Sequence, residues 1–315
     1  MTEVEAEQGA TSAREPTRER EGAAEEWTVA RVLRWATDDF RRRGLDSPRL
    51  DAELLLARVL GVERVRLIMD SERALAPREL SAFRELIQRR RRAEPIAYIL
   101  GAREFFGLVF QVDRRVLVPR PDTETLVEVA LRRTENAHLQ GEALDLCTGS
   151  GCVALAFGTR RPTWSILGSD ISPDAIAVAR ENAARLGGVQ NTRFLVSDTD
   201  AALPNGARFD LVTANPPYIP SGDIAALGPD VRDHEPRLAL DGGADGLAVV
   251  RRVLTAAHRR LRAEGLVALE IGHDQAARTA ALLENAGFTD VERAKDYGGI
   301  ERVVSGRLAR AQAAR

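Results

Sequence analysis

The chain has little sulfur chemistry to draw on. Cys147 and Cys152 are the only cysteines in 315 residues. That is too few for a disulfide framework, and it fits a reducing compartment. Lysine is nearly missing too: Lys295 stands alone among 45 basic residues, which reads as a compositional habit and not as function. No apolar run approaches the roughly 20 residues that span a bilayer. The first residues are acidic and polar, without the apolar core of a signal peptide, so the expectation is a cytoplasmic protein with no membrane contact. An excess of one charge is also lacking. The net charge of −2 excludes a bulk polycation for nucleic acid. Histidines number four; His234 and His273 read as loop residues, and no metal site is expected.

What remains is ordinary globular composition, 44% hydrophobic and 29% charged, in a length that suggests two domains. Residues 1–26 carry Glu, Arg, Ala and Thr with almost no large apolar side chains, and are expected to be a disordered acidic tail. Residues 27–93 have a helical period. Thr28 is a cap for a helix with Val29, Val32, Leu33 and Ala36 on one face. Ser47-Pro48 opens a second, with Leu50, Leu54, Leu55 and Val59 inward and Gly61 closing it. Leu60, Val65, Leu67 and Ile68 add apolar mass, and Pro77 starts a helix through Leu80, Phe83, Leu86 and Ile87. This is a small bundle with no catalytic constellation. Arg89 to Arg92 form a basic cluster, readable as a solvated helix end favoured by the dipole or as a contact for RNA or an acidic partner.

Residues 94–118 read as a hairpin linker, with 96–101 and 108–112 flanking a glycine-containing turn. Asp122 or Thr123 can then cap a helix carrying Leu126, Val127, Val129 and Ala130. From 143 onward strands alternate with helices: 143–147, 164–170, 193–198, 209–214 and 265–271, then two last strands at Val291 and 302–306. Such alternation gives an α/β domain, over residues 119–308, with a mostly parallel sheet covered on both faces. Residues 309–315 are left as a tail.

One stretch organises this domain. Phe209, Leu211 and Val212 make a short apolar strand that must stop at Asn215, because Pro216 and Pro217 cannot donate to a ladder. Ligands of open α/β sheets bind at that end of the strands. Asn215 offers a donor and an acceptor, the prolines offer carbonyls, and Tyr218 offers a flat face. Asn-Pro alone is an ordinary turn signal; the tetrapeptide after a buried strand suits a planar –NH₂ group. Upstream, the turn after the first strand contains Gly149 and Gly151, which let backbone N–H groups approach a ligand. It is not a dinucleotide fingerprint, since Cys147 and Ala154 occupy its outer slots. Asp170 ends the second strand, where an acid hydrogen-bonds a ribose diol, and Asp198 ends the third. Carboxylates at successive strand ends suit a nucleoside without phosphates, and the cationic S-adenosylmethionine suits them where a pyrophosphate would not.

With these residues in view the chain resembles the HemK/PrmC family, the protein-(glutamine-N5) methyltransferases that modify peptide-chain release factors. The resemblance rests on residues 94–101, on Pro119-Arg120-Pro121-Asp122-Thr123-Glu124, on 145–151, Asp170 and Asn215-Pro216-Pro217-Tyr218. It extends to Glu235-Pro236, Leu240, Gly242-Gly243, Asp245-Gly246-Leu247 and Glu270-Ile271-Gly272, and so covers about residues 27–308. It implies a Rossmann-like methyltransferase fold with a seven-stranded sheet, an N-terminal helical domain that recognises the substrate, and S-adenosyl-L-methionine as cofactor. It also implies roles. Cys147, Thr148, Gly149, Ser150 and Gly151 hold the methionine end and Asp170 the ribose. Thr199, after Asp198, lies at the adenine. Asn215, Pro216, Pro217 and Tyr218 hold the target glutamine, in the GGQ motif of a release factor, so that modification affects translation termination. Two positions depart from the family pattern: Cys147 replaces a usual glycine, as in the sister enzyme that methylates a ribosomal protein, and Thr199 replaces a bulkier residue.

A carboxamide nitrogen is a poor nucleophile, so the expected mechanism is alignment. Asn215 Oδ1 and the Pro216 carbonyl would accept from the –NH₂ and aim its nitrogen at the methyl, with no general base before transfer. The alternatives are glutamine methylation of a ribosomal protein and amino-methylation of a DNA or RNA base. A nicotinamide oxidoreductase is disfavoured by the imperfect glycine pattern, and an RNA-binding module by the near-neutral charge. The expected partner is a release factor, with no nucleic acid required and a monomeric chain.

Overall fold

Thr28 sits where the first helical period begins, and its hydroxyl accepts from the Arg31 N–H at 3.4 Å, a side-chain N-cap. It opens α1 (Val29–Arg42), which is followed by α2 (Pro48–Leu60), α3 (Arg64–Met69) and α4 (Pro77–Arg91). Val29, Val32, Ala36, Phe40, Leu55 and Leu56 are buried. Two expectations fail here. Leu50, expected inward on α2, is 40% exposed. Val65 and Ile68 are 60% and 72% exposed, and on α3 only Leu67 is buried. The three-residue spacing puts Val65 and Ile68 on one face of a short helix, and it is the outer face.

In this computed structural model residues 26–137, 139–187 and 191–310 are described. The expected tails, 1–26 and 309–315, lie outside the described residues apart from Glu26, Ala309 and Arg310. The described chain forms two compact units, one ending at Arg84 and one beginning at Glu85, whereas the sequence suggested a boundary near 94.

Residues 96–101 do not form a strand. They make α5 (Ile96–Leu100), behind Pro95 and ahead of Gly101. A short apolar run carries no periodicity that separates strand from helix, and Pro95 suits a helix start. The hairpin follows it: β1 (Ala102–Phe105) pairs with β2 (Leu108–Gln111). Its two turn residues, Phe106 and Gly107, both have positive φ, as a tight hairpin turn requires.

The rest of the second unit runs α6 (Glu124–Arg133), β3 (Glu142–Leu146), α7 (Cys152–Arg160), β4 (Ser165–Asp170), α8 (Pro173–Arg185), β5 (Thr192–Val196), β6 (Phe209–Ala214), α9 (Pro229–Arg232), α10 (Ala248–Arg260), β7 (Leu261–Glu270), α11 (Ala276–Asn285), β8 (Phe288–Lys295) and β9 (Glu301–Leu308). The seven strands lie in the order β5-β4-β3-β6-β7-β9-β8. β3 to β7 are parallel, and β9 runs antiparallel to both its neighbours. Successive side chains go to opposite faces. Ala143, Ile166 and Leu211 pack with Leu126, Leu155 and Ile176 on one face. Leu144, Val212 and Val267 pack with Val250, Leu254 and Leu283 on the other. The strand order reverses between β3 and β6, and a crevice opens at their carboxyl ends. Register brings the same level into line there: Leu146 pairs with Ser169 and with Ala214, and Ala214 pairs with Leu269. The next residue on each strand is Asp170, Cys147, Asn215 or Glu270, so these four form a row.

Candidate active site

The turn after β3 is fixed from below by a buried carboxylate. Asp145 accepts from the Thr148 hydroxyl at 2.6 Å and from the Thr213 hydroxyl at 2.7 Å. Burial pushes its acid up to about 6, against the pull of both hydroxyls. The Thr148 N–H donates to the Ser169 carbonyl at 3.0 Å, and the Gly151 N–H closes the turn on the Thr148 carbonyl at 2.8 Å. Gly151 caps α7 at a φ of +80°, a left-handed backbone natural to glycine. The helix thus points its positive end at the crevice. Asp170 accepts from the Gly149 N–H at 3.0 Å and the Ser172 N–H at 2.9 Å. Burial raises its pKa, and these backbone donors oppose the rise.

Cys147 and Thr199 have φ of +56° and +51°. Glycine adopts this left-handed backbone without strain, and for a β-branched threonine it is a true outlier. Such residues cost on the order of 1–3 kcal/mol each and cluster at ligand sites. Both line the cavity, with Thr148, Gly149, Ser150, Asp170, Asp198, Asn215 and Pro217. Ile171, Leu238 and Val249 give it apolar wall. Three arginines also line it, and each is already paired. Arg115 holds Asp113 at 2.7 Å and Glu181 at 3.0 Å; Arg120 holds Glu235 at 2.6 Å; Arg252 pairs with Asp198. Among the described residues Asp170 has only backbone donors, so the local balance tips to carboxylate. This donor set fits a cationic sulfonium nucleoside and offers no free cation to a pyrophosphate.

At the β6 end, the half-buried Asn215 donates from Nδ2 to the Thr123 hydroxyl oxygen at 3.3 Å. Of the two caps the sequence offered, Asp122 and Thr123, it is Thr123 that stands at the N-cap position of α6, but without a side-chain cap bond; its hydroxyl meets Asn215 instead. The Tyr218 hydroxyl lies 3.5 Å from Glu270 Oε1, and the Tyr218 carbonyl accepts from Gln275 Nε2 at 2.9 Å. Behind the tetrapeptide runs the glycine-rich stretch 242–246. The Gly242 N–H donates to the Ile219 carbonyl at 2.8 Å. A Cβ on Gly246 would lie 2.4 Å from the Tyr218 carbonyl oxygen, so only glycine allows this approach.

Of the twelve site residues expected from sequence, nine line one cavity. Gly151, Pro216 and Tyr218 do not: Gly151 caps the helix, and Pro216 is buried. Thr123, Glu270, Gln275 and Arg252 escaped the sequence reading. Thr123 and Glu270 lay inside stretches that carried the resemblance, the one available signal; Gln275 and Arg252 gave none. Among the described residues no cluster could hold a metal ion, and no helix is long and apolar enough to cross a membrane.

Residues 31–101 match the PrmC N-terminal domain family, and residues 122–226 match the methyltransferase small domain family. A protein of Geobacter sulfurreducens called release factor glutamine methyltransferase is 43% identical over 283 residues, 90% of this chain and 97% of that one. A protein of the same name from Caulobacter vibrioides is 42% identical, over 89% and 96% of the two chains. Among solved structures, the hMettl16 catalytic domain in complex with a MAT2A 3'UTR hairpin aligns with a TM-score of 0.55 at 16% identity, covering 70% of this chain and 83% of its own. At that identity the likeness is one of fold.

Proposed function

The chain belongs to the release factor glutamine methyltransferase family, and on that footing we propose how its residues hold a glutamine side chain. The protein is an S-adenosyl-L-methionine-dependent methyltransferase that methylates a glutamine of peptide-chain release factors. When bound, the cofactor supplies a methyl group already activated on a sulfonium. The chain supplies position. The turn at 147–151 receives the methionine end and Asp170 the ribose diol, with Asp198 and Thr199 toward the base. Asn215 receives the substrate carboxamide, its Oδ1 and the Pro216 carbonyl accepting from the –NH₂. On transfer the methyl's bond to sulfur would break as its bond to nitrogen forms, leaving a neutral thioether, and the amide nitrogen would then lose one proton to solvent, with no base required before transfer. Alignment of this kind supplies on the order of 7–11 kcal/mol.

One observation carries the reading: β3 and β6 end level, Leu146 paired with Ala214, and the residues that follow, Cys147 and Asn215, line one cavity with Asp170. The finer reading is N5 of the GGQ glutamine, acted on by a monomeric cytoplasmic enzyme that needs no nucleic acid. Its test is mass spectrometry of a release factor after incubation with enzyme and labelled cofactor. The label is expected on one glutamine side chain. With Asn215→Ala the rate should fall about a hundredfold, the cost of misplacing reactants by about 1 Å, with cofactor affinity nearly unchanged. Label elsewhere, or a wild-type rate in the variant, would overturn the reading.

A further inference from the structure

The cavity is lined by the turn after β3 and by residues 115–117, which follow the hairpin. One helix, α8, grips both. Asn182 on α8 is 0% exposed. Its Oδ1 accepts from the Gln111 N–H at 2.7 Å, and its Nδ2 donates to the Gln111 carbonyl at 3.1 Å and to the Ser150 carbonyl at 2.9 Å. The carboxamide thus gives Gln111, the last residue of β2, the pair of bonds that an adjoining strand would give. One N–H and two carbonyls around it also fix its orientation, because turning the amide over would set its oxygen against two carbonyls. The preceding residue, Glu181, takes the Arg115 guanidinium on both its oxygens at 3.0 Å, a two-pronged pairing that fixes angle as well as distance.

On the turn, Ser150 is 3% exposed, so its carbonyl needs a partner inside the protein. The next N–H, that of Gly151, closes on the Thr148 carbonyl at 2.8 Å. The rigid peptide plane between Ser150 and Gly151 is therefore held on both edges. Gly149 and Gly151, with φ of +55° and +80°, put little resistance of their own in the way of other conformations, so position must come from these bonds. The Gly149 N–H goes to Asp170, and Asp170 also takes the N–H of Ser172, the N-cap of α8. Two consecutive residues of the turn are thus tied to α8, Gly149 through its capped start and Ser150 through Asn182.

We propose that α8 is the frame of the cofactor site: Asn182, with Glu181 beside it, fixes residues 111–117 against the 148–151 turn and so sets cofactor affinity. This inference rests on that turn receiving the methionine end of the cofactor. Both are positioning residues, since neither lines the cavity. Asn182 acts through the main chain of Gln111 and Ser150, and Glu181 acts through Arg115, which does line it. Asn215 is held by a separate bond, to Thr123. Loosening the frame should therefore show in cofactor binding and leave the transfer step.

The test uses the full-length enzyme, S-adenosyl-L-methionine and an intact release factor, well below the melting temperature of every variant. Asn182→Leu keeps the volume and loses all three bonds; Asn182→Asp keeps the acceptor and loses both donors. In each, calorimetry should show cofactor affinity weaker by about tenfold, roughly the worth of one hydrogen bond. With cofactor saturating, kcat and the KM for the release factor should stay within about threefold of wild type, the pattern of lost binding and not of a lost transition-state contact. Glu181→Ala, at a side chain 40% exposed, should weaken cofactor binding by about threefold with little change in melting temperature. Wild-type cofactor affinity in both Asn182 variants would overturn the proposal. So would an equal loss in kcat and in release-factor KM, the mark of a generally loosened fold. Should the Asn182 variants not fold, Glu181→Ala decides alone, and wild-type affinity there overturns the proposal. Asp170→Ala, measured alongside, separates the two levels. If it binds cofactor as wild type does, the cofactor site is misplaced. If it binds weakly while the Asn182 variants bind normally, only the frame fails.

Discussion

At the scale of single residues, two acids of the crevice have opposite kinds of consequence. Among the described residues Asp170 pairs with no charged group; it holds the Gly149 and Ser172 N–H groups and lines the cavity. Asp170→Ala should weaken S-adenosyl-L-methionine binding by about 1.5–3 kcal/mol, the worth of a hydrogen bond to a charged partner. Asp170→Asn, which keeps one acceptor, should lose less. Equal calorimetric affinity in Asp170→Ala and wild type would remove Asp170 from the ribose. Glu270 matters through its proton. Burial pushes its acid up to about 7, opposed by Thr123, Arg302 and Tyr218 and reinforced by Asp122. The folded pKa lies above the ordinary 4.5, so the folded state holds the proton longer than the unfolded chain. The associated stability is complete below about pH 4.5 and is lost as pH rises through about 7. The full loss is on the order of 3 kcal/mol, from about 1.4 kcal/mol per pKa unit. Urea unfolding between pH 4.5 and 8 should therefore show a smaller decline with pH in Glu270→Gln than in wild type. Identical pH slopes would mean that Glu270 is not the group responsible.

At the scale of elements, the site depends on strand ends and on what stands behind them. Parallel pairing places Asp170, Cys147, Asn215 and Glu270 in one row, and Asn215 and the two prolines after it stop β6 at the required level. The tetrapeptide is then backed by main chain, not by a side-chain core. The Tyr218 carbonyl takes Gln275 Nε2, and Gly246 sits so close that a methyl would meet that carbonyl oxygen at 2.4 Å. Gly246 also has a φ of +72°, which strains any L side chain. Gly246→Ala should displace Tyr218 and its neighbours. It should cost about 1–3 kcal/mol of stability and lower kcat more than it changes cofactor affinity. Turnover and melting temperature measured on one preparation would check this. Wild-type turnover would show that the glycine stretch does not set the position of Asn215.

At the scale of the whole molecule, the cavity belongs to one unit. Every residue lining the cavity lies beyond Glu85, and the unit ending at Arg84 contributes none. That unit is expected to recognise the substrate protein. Removing residues 1–84 should then sharply reduce methylation of an intact release factor while cofactor binding by the remaining unit survives. Undiminished methylation of the intact factor by the truncated enzyme would refute a recognition role. Loss of cofactor binding would instead reveal that the second unit needs the first to fold.

The sequence alone determined the layered α/β architecture, the end of β6 and nine of the residues that share the cavity. The architecture, the end of β6, Gly149, Asp170, Asp198, Asn215 and Pro217 came from local signals: alternating periods, a proline pair that cannot continue a ladder, glycines and acids at strand ends; Cys147, Thr148, Ser150 and Thr199 came from the family resemblance. It misjudged 96–100, where five apolar residues fit a strand as well as a helix, and it counted Val65 and Ile68 as packing mass because apolar character does not say which face of a short helix turns inward. Thr123, with Asp122, read as a cap from its place before α6. Only the fold brings Asn215, 92 positions away in sequence, to its hydroxyl. Glu270 read as the end of a strand, and only the packing around it buries the carboxyl beside Tyr218 and Thr123. Local sequence sets backbone conformation; which polar atoms meet inside the molecule is decided by strand order and register, which no single segment encodes.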